Sequence, residues 1–282
     1  MKKNILISGG TGFIGRHLIE NLCQKFCLYI ISNQKQIEFN NKNIKYIKFK
    51  NYRDLKKKLN GKRINFIIHA ATYFSKIDDI KKINKIINAN IILGSYLLEL
   101  SKEKNVEKFI NFASTWENFN GIKDNPKNFY AASKLCFSKI LTYYSKINKL
   151  TKIYSLHLTD TFGRNDNREK ILPIIKKNKN KNKKINLTSS NIQLNFVNVE
   201  AVVTAVKIIL NKKVKQGDYS VINNRYIKFS DLLNKLKRKN IKLKFKILSN
   251  RKILHKIFKF KTIKGWKPTN SCLDDIANYI IK

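Results

Sequence analysis

The stretch SGGTGFIG, at residues 8–15, lies close to the start of the chain, directly after the short apolar run NILIS. Apolar residues recur at helical spacing after it, so the sequence predicts a strand, a tight glycine turn and a helix in this order. Glycines let the backbone approach a ligand closely, and a helix N-terminus presents free N–H groups to an anion. The pattern therefore predicts a dinucleotide site formed by Gly9, Gly12, Phe13, Ile14 and Gly15.

Strands and helices alternate through the first half of the chain. Apolar runs predict strands at 4–8, 28–32, 44–49, 64–70, 108–114 and 153–159, and long helices are expected at 79–103 and 129–147. Such alternation is typical of a doubly wound parallel sheet, so we expect an α/β Rossmann fold with a small C-terminal α/β lobe. The expected domains are a dinucleotide-binding domain at 1–163, with 194–214 returning to it, and a substrate lobe at 164–193 and 215–282.

The charge of the chain is strongly positive. Its 282 residues include 59 lysines and arginines against 18 aspartates and glutamates, a formal net charge of +41. Such a charge often indicates a nucleic-acid partner. Only eight of the 59 are arginine, however, and the lysines are spread through every segment together with abundant Asn and Ile, which share A/T-rich codons. We therefore predict no nucleic-acid partner.

Other compositional features exclude several classes of protein. The four cysteines form no CxxC pair and the four histidines are scattered, so neither a metal site nor a disulfide framework is expected. No run approaches the roughly 20 apolar residues of a membrane span. The N-terminal segment reaches its glycines before a signal-peptide core is complete. A cytoplasmic protein without a membrane partner is predicted.

The end of the second predicted strand indicates which dinucleotide is bound. An acidic side chain usually binds the adenosine 2′-hydroxyl at this point, but Glu38 is the first acidic residue here. The hydroxyl, amide and ammonium groups of Ser32, Asn33 and Lys35 suit a 2′-phosphate instead. The sequence favours NADP over NAD, and NAD remains the alternative because Ser or Asn can also bind the hydroxyl.

A second candidate site lies in FYAASK, residues 129–134. Tyr130 and Lys134 are one helical turn apart, and the fifth strand brings Ser114 to the carboxyl edge of the sheet, where ligands bind. A free phenol has a pKa of about 10, and a nearby ammonium favours the phenolate. The spacing alone is weak evidence, because tyrosine and lysine are abundant in this chain.

Over essentially its whole length the sequence resembles the extended short-chain dehydrogenases/reductases, the NAD-dependent epimerase/dehydratase family. Eight stretches match in the family's order, which is not expected by chance. They are SGGTGFIG, IIHAAT (67–72), NANIILGSYLLEL around Asn90, FINFAST (109–115), FYAASK, DTFG (160–163), LNFVNVEAV (194–202) and GWKP (265–268).

The resemblance implies a role for each candidate residue. Tyr130 would be the general acid/base, and Lys134 would lower its pKa and bind the nicotinamide ribose. Ser114 would hold the substrate oxygen, and Ala70 and Ala71 would line the cofactor channel. The activity implied is hydride transfer between a nicotinamide and a sugar carbon. A homodimer packed through the two long helices is also implied.

The stretches FASTWENF and LTDTFGRNDNREKIL resemble one branch of the family, the reductases of nucleotide-linked 4-keto-6-deoxy sugars that include CDP-abequose and CDP-paratose synthases. This resemblance implies an NADPH-dependent reductase in the synthesis of sugars for surface polysaccharide. The nucleotide itself remains open. Candidate substrate-binding residues are Thr115, Trp116, Asp160, Arg164 and Arg168.

Other functions remain open on the sequence. A nucleotide-sugar 4-epimerase or 4,6-dehydratase with tightly bound NAD is the nearest alternative. Dehydratases typically carry an Asp-Glu pair after the catalytic hydroxyl, whereas this chain has only Glu117, which could act alone if Thr115 were that hydroxyl. A non-catalytic dinucleotide-binding regulator or an RNA-binding protein is the third alternative.

Overall fold

A parallel sheet of seven strands forms the centre of the molecule. The computed structural model describes residues 2–32, 39, 41–75, 80–189 and 191–282. The doubly wound topology confirms the predicted α/β Rossmann fold. The strands lie in the spatial order β11 (Gly217–Val221), β6 (Lys152–Leu158), β5 (Lys108–Ser114), β4 (Phe66–His69), β1 (Asn4–Ser8), β2 (Cys27–Ile31) and β3 (Ile44–Ile47).

Helices cover both faces of this sheet because the strands are apolar on both sides. In β1, Ile5 and Ile7 pack on one face while Leu6 packs on the other, as the two-residue period of a strand requires. The helices are α1 (Phe13–Leu22), α2 (Tyr52–Lys58), α3 (Ile80–Ile87), α4 (Leu93–Glu103), α5 (Phe129–Ile147), α6 (Ile171–Asn178), α7 (Val199–Asn211), α8 (Phe229–Arg238) and α9 (Leu273–Ile281). Among them, none is both long enough and apolar enough to cross a membrane within the described residues.

The helix predicted at 79–103 is helical from Ile80 onward but is not a single α-helix. A π-helical turn at Asn88–Ile92 separates α3 from α4. Such a turn inserts one extra residue into the helix and is often found at functional sites. Its buried residue is Asn90.

A smaller lobe follows the sheet, with its own apolar core between α6, α8 and α9. Its strands are short. They are β8 (Lys184–Leu187) paired with β13 (Lys244–Ile247), and β9 (Ile192–Leu194) lying between β12 (Ile227–Lys228) and β14 (Ile253–Leu254). A separate two-stranded sheet pairs β7 (Asp160–Phe162) with β10 (Phe196–Asn198).

The predicted lobe at 215–282 needs a correction at two places. Strand β11, Gly217–Val221, pairs in parallel with β6 at the edge of the large sheet. Further along, Trp266 is buried in the core beneath α7, and its indole N–H donates to the Ala201 carbonyl at 2.8 Å. The chain therefore returns to the main sheet more often than the irregular sequence pattern indicates.

Candidate active site

One cleft of about 1380 Å³ lies at the carboxyl ends of the central strands. This is the edge at which ligands bind in open α/β sheets. The structure places nearly all of the predicted site residues around it. Those that line it are Gly9, Gly12, Phe13, Ile14, Gly15, Ser32, Ala70, Ala71, Ser114, Thr115, Trp116, Tyr130, Lys134, Asp160 and Arg168.

The glycine turn fits a pyrophosphate. Gly9 has φ +72°, and a Cβ atom there would lie 2.4 Å from the Ala71 nitrogen. A Cβ atom at Gly15 would lie 2.1 Å from the Gly9 carbonyl oxygen, so α1 packs directly on the turn. Helix α1 begins after Gly12 without a side-chain cap and without an acidic residue in its first turn. Its first N–H groups thus remain available to an anion.

The end of the cleft at which the adenosine is predicted to bind lies around the end of β2. Ser32 lines it, together with Phe49 and Lys50 from the segment after β3. Asn33 and Lys35, the other predicted readers of the ribose, lie outside the described residues, as does Glu38. Their roles stay predictions.

Helix α5 carries the predicted catalytic pair into the cleft. Its first turn is capped by Asn128, whose side chain accepts a hydrogen bond from the Ala131 N–H at 3.0 Å. Tyr130 lies in that first turn, and Lys134 follows one turn later. The Lys134 ammonium is buried and donates to the Phe112 carbonyl on β5 at 3.0 Å. Helix and strand thereby bring the pair to the carboxyl edge of the sheet.

Burial dominates the electrostatics of this pair. It raises the pKa of Tyr130 to about 12, because a phenolate would be poorly solvated there. It also lowers the pKa of Lys134 to about 8, an effect that the Glu117 carboxylate opposes. Desolvation therefore has the largest effect on the pKa of the phenol. The sequence suggests the opposite direction, a pKa lowered by the nearby ammonium of Lys134.

Ser114 is fixed at the end of β5 by a tight turn. Its hydroxyl oxygen accepts a hydrogen bond from the Trp116 N–H at 3.2 Å, and its own N–H donates to the Glu117 carboxylate at 2.7 Å. The other carboxylate oxygen of Glu117 accepts from the Ser138 hydroxyl at 2.8 Å. Ser114 thus faces the cleft with a hydroxyl that can still donate, whereas Glu117 is fully buried and does not line the cleft.

Aromatic rings form a wall beside Tyr130. Phe74 packs edge-on against Tyr130 at 5.2 Å and against Trp116 at 6.0 Å between ring centroids. The ammonium groups of Lys127 and Lys170 lie 4.1 Å and 4.7 Å from the Trp116 centroid. Sequence reasoning missed Phe74, because no pattern distinguishes a cleft aromatic in a loop from a buried one.

Asp160 and Arg168 both line the cleft, each with a charged partner. Lys170 forms an ion pair with Asp160 at 3.3 Å. The Arg168 guanidinium stacks on the Phe13 ring at 4.0 Å and is held by the buried carboxylate of Asp166 at 2.7 Å. The substrate-binding roles of Asp160 and Arg168 remain predictions.

Arg164 does not join them. It does not line the cleft, and its guanidinium is bound to Glu20 on α1 at 2.5 Å, with Glu200 on α7 at 3.8 Å. These two carboxylates hold the side chain on the outside of the sheet. The predicted role of Arg164 in substrate binding is therefore not supported by this structure.

Known proteins resemble this chain in sequence. A CDP-abequose synthase of Yersinia pseudotuberculosis is 27% identical over 271 residues, which cover 92% of this chain and 93% of that protein. A dTDP-D-glucose 4,6-dehydratase of Dictyostelium discoideum is 29% identical over 269 residues, covering 83% of this chain and 61% of that protein.

Solved structures share the fold. A UDP-glucose 4-epimerase of Thermotoga maritima, in complex with UDP-glucose, superposes with a TM-score of 0.80 at 19% identity, covering 99% of this chain and 97% of that one. MoeE5 in complex with UDP-glucuronic acid and NAD has a TM-score of 0.82 at 13% identity, covering 99% and 98%. The sequence model described as "NAD dependent epimerase/dehydratase family" matches residues 5–223. The match covers most of the chain and confirms the resemblance: the chain belongs to the NAD dependent epimerase/dehydratase family.

Proposed function

We propose that the chain is an NADPH-dependent reductase of a nucleotide-linked 4-keto-6-deoxyhexose and serves the synthesis of surface polysaccharide sugars. One observation carries this proposal. Tyr130, Lys134 and Ser114 lie in the same cleft as an uncapped glycine turn that fits a pyrophosphate. The CDP-abequose synthase relatives, matched over most of their length, support the choice of substrate class.

The three polar residues have complementary tasks in such a reduction. When bound, the reduced nicotinamide supplies a hydride to the sugar carbon. Ser114 donates its hydroxyl proton in a hydrogen bond to the carbonyl oxygen, and Tyr130 transfers its phenolic proton to that oxygen as negative charge develops there. Lys134 holds a positive charge near the cofactor ribose and the phenol. The sum is one hydride and one proton added across the C=O bond.

The pKa of Tyr130 suits the reducing direction. A reductase needs the phenol to carry its proton when the substrate binds, and burial raises the pKa of Tyr130 to about 12. An alkoxide is more basic than a phenolate, so the proton passes to the sugar oxygen as that oxygen becomes an alkoxide. An epimerase must first remove a proton with the same group, which burial disfavours.

The position of Glu117 argues against dehydration. A 4,6-dehydratase needs an acid that reaches the substrate to remove water. Glu117 is fully buried, and its two carboxylate oxygens accept hydrogen bonds from the Ser114 N–H and the Ser138 hydroxyl. These contacts give it the role of fixing the turn that carries Ser114. The proposal therefore assigns it no proton transfer.

The charges around the cleft support NADPH over NADH. Lys50, Lys82 and Lys85 are among the lysines that line the cleft. The carboxylates among its described lining residues are those of Asp160 and Glu169. Both belong to the segment whose Lys170 lies over Trp116. A 2′-phosphate adds about two negative charges, which this surface would attract. The nearest acidic residue to the predicted ribose site along the chain, Glu38, lies outside the described residues.

An assay with defined nucleotide sugars tests the proposal. The purified chain is offered NADPH or NADH with a panel of CDP-, dTDP-, GDP- and UDP-linked 4-keto-6-deoxyhexoses, and the absorbance of the reduced nicotinamide is followed. We expect oxidation of NADPH that depends on one nucleotide sugar and is faster than that of NADH. Tyr130→Phe serves as the inactive control.

Two other results would overturn the proposal. A protein that retains bound NAD and interconverts nucleotide hexoses without net loss of NADPH is an epimerase. A protein that converts a nucleotide-linked glucose into the 4-keto-6-deoxy sugar without added NADPH is a dehydratase.

A further inference from the structure

Asn90 connects two walls of the cleft that are distant in sequence. It lies in the π-helical turn at Asn88–Ile92, between α3 and α4, and is fully buried. A buried amide must find partners for two N–H donors and for a carbonyl oxygen that can accept twice. The partners of Asn90 come from the loop after β4 and from α5.

The carbonyl side of the amide holds the loop. The Asn90 Oδ1 atom accepts hydrogen bonds from the Thr72 hydroxyl at 2.9 Å and from the Tyr73 N–H at 3.0 Å. This loop continues the IIHAAT stretch, whose Ala70 and Ala71 line the cofactor end of the cleft. The amide thus fixes the position of that wall relative to α4.

The amino side holds the helix that carries the catalytic pair. The Asn90 Nδ2 atom donates to the Ser133 hydroxyl oxygen at 2.9 Å and, more weakly, to the Tyr73 carbonyl at 3.4 Å. The buried Ser133 hydroxyl in turn donates a hydrogen bond to the Tyr130 carbonyl at 2.7 Å. A continuous chain of hydrogen bonds therefore runs from Thr72 through Asn90 and Ser133 to the backbone of Tyr130.

The side chain of Tyr130 contacts the same loop. Its ring lies edge-on against Phe74, two residues after Thr72, with 5.2 Å between the ring centroids. Asn90 consequently acts on this tyrosine from two sides, on the backbone through Ser133 and on the ring through the loop that continues from Thr72 to Phe74. Every polar atom of the Asn90 amide is used in doing so.

We propose that Thr72, Asn90 and Ser133 form a brace of positioning residues that sets the distance between the Tyr130 phenol and the cofactor wall of the cleft. This inference rests on the proposed function, in which Tyr130 is the acid. Displacement of a reacting group by about 1 Å can cost roughly 100-fold in rate. Asn90 and Ser133 thus affect turnover by positioning Tyr130, without contacting the substrate themselves.

Two shape-preserving variants test the brace from its two ends. Thr72→Val removes one hydroxyl from the loop, and Ser133→Ala removes the link to the Tyr130 carbonyl. In steady-state assays with saturating NADPH we expect kcat to fall roughly 10-fold in each variant, with KM and the NADPH dissociation constant changed by less than about twofold. Thr72→Ser, which restores the hydroxyl, should recover most of the turnover.

Ser145→Ala is the matched control. Ser145 lies on the same helix and makes the same bond to the carbonyl three residues earlier, at 2.7 Å to Thr142, but it is only partly buried and Asn90 is not its hydrogen-bond partner. Its substitution should leave kcat unchanged. Unaltered kcat in both Thr72→Val and Ser133→Ala, or failure of Thr72→Ser to recover turnover, would overturn the positioning role.

Equilibrium unfolding tests the brace independently of catalysis. Because Thr72 and Ser133 share Asn90, the loss of stability in their double variant should differ from the sum of the two single losses. The pair Thr72→Val and Ser145→Ala should be additive. Additive losses of stability for Thr72→Val and Ser133→Ala would show that no brace exists. Retained turnover in Tyr130→Phe would instead refute the proposed function, and the measured coupling between Thr72 and Ser133 would still hold.

Discussion

Tyr130 retains its proton because burial raises the pKa of its phenol to about 12. The phenol has Phe74 at its edge and the Glu117 and Asp160 carboxylates in its electrostatic surroundings, both of which add to the effect of burial. A phenol in that setting is an acid that releases its proton only to a stronger base. The developing alkoxide of a reduced sugar is such a base.

The first prediction concerns this proton. Tyr130→Phe removes the hydroxyl and leaves the ring, so turnover should fall at least ~100-fold while the dissociation constant of NADPH, measured by fluorescence, changes little. Tyr143→Phe is the matched control, since Tyr143 lies on the same helix and is exposed to 58%. Normal turnover in Tyr130→Phe would show that another group supplies the proton.

The second prediction concerns Lys134. Burial lowers the pKa of its ammonium to about 8, so in the free protein the positive charge is present below that pH and is lost above it. Affinity for NADPH should therefore weaken as the pH rises from about 7 to about 9, by roughly 3- to 10-fold. Nicotinamide fluorescence titrations measure this. Lys134→Met should lack the step, and an identical pH dependence in both proteins would contradict the assignment.

The glycine turn, predicted to bind the cofactor, also determines how α1 packs. Gly15 is required because α1 lies directly on the turn, with the Gly9 carbonyl oxygen 2.1 Å from the position of an added Cβ atom. Gly12 has more room, since the nearest atom to its Cβ position, the same oxygen, lies 3.2 Å away. Two glycines in one motif thus serve different purposes.

A third prediction follows from this difference. Gly15→Ala should lower the free energy of unfolding by about 2 kcal/mol or more, because backbone atoms must move apart to admit the methyl group. Gly12→Ala should cost less than about 1 kcal/mol and act mainly on cofactor affinity. Urea unfolding and nicotinamide fluorescence measure the two effects. Equal losses of stability would show that the turn does not distinguish the two positions.

Hydrogen bonds of Glu117 connect the end of strand β5, the turn after it and helix α5. Glu117 closes a capping arrangement with Ser114, and the same carboxylate binds Ser138 on α5. The end of β5, the turn after it and α5 are therefore joined at one buried acid. This connection holds the Ser114 hydroxyl and the Tyr130 phenol on the same cleft.

The large positive charge is partly used in the fold. The Lys108 ammonium donates to the carbonyls of Ile209 and Leu210 at the end of α7, at 2.7 Å and 3.2 Å. The Lys104 ammonium likewise donates to the Leu59 carbonyl at 2.9 Å, just after α2. Cations at helix C-termini donate hydrogen bonds to the free carbonyls and interact favourably with the negative end of the helix dipole.

The fourth prediction concerns the remaining charge of the molecule. Binding to a generic RNA should be weak and should disappear at about 200 mM salt, because unspecific phosphate contacts are lost as counterions compete. Filter binding across a salt series measures it, with NADPH oxidation assayed in parallel. Tight binding that persists at that salt concentration would favour the RNA-binding alternative.

The fifth prediction concerns assembly. We propose that two copies of the chain form a homodimer that packs through α3, α4 and α5. Ile147 on α5 and Ile80 on α3 are exposed to 48% and 70%, although both are apolar. Ile147→Glu should shift the sedimentation coefficient from dimer to monomer, since a charge would be buried in the contact. The exposed Ile122, which lies outside these helices, provides the control Ile122→Glu. A wild-type monomer would refute this arrangement.

Much of this organisation was predictable from local pattern. The SGGTGFIG turn, the first six strands and the spacing in FYAASK depend on residue type and sequence separation, which the chain shows directly. The seventh strand of the sheet, Gly217–Val221, was expected in the small lobe, because a short strand in an irregular region carries no sign of the sheet it joins. Its place depends on pairing with β6, a partner about 60 residues away in sequence.

The same distinction holds within the site. The resemblance of eight ordered stretches to the family was enough to single out Tyr130, Lys134 and Ser114, which the spacing of FYAASK alone could not do. Packing between distant segments was needed to show that Glu117 is buried, that Arg164 is held by Glu20, and that Asn90 joins a loop to a helix. Burial and hydrogen-bond partners are properties of segments brought together by folding, and no spacing along the chain encodes them.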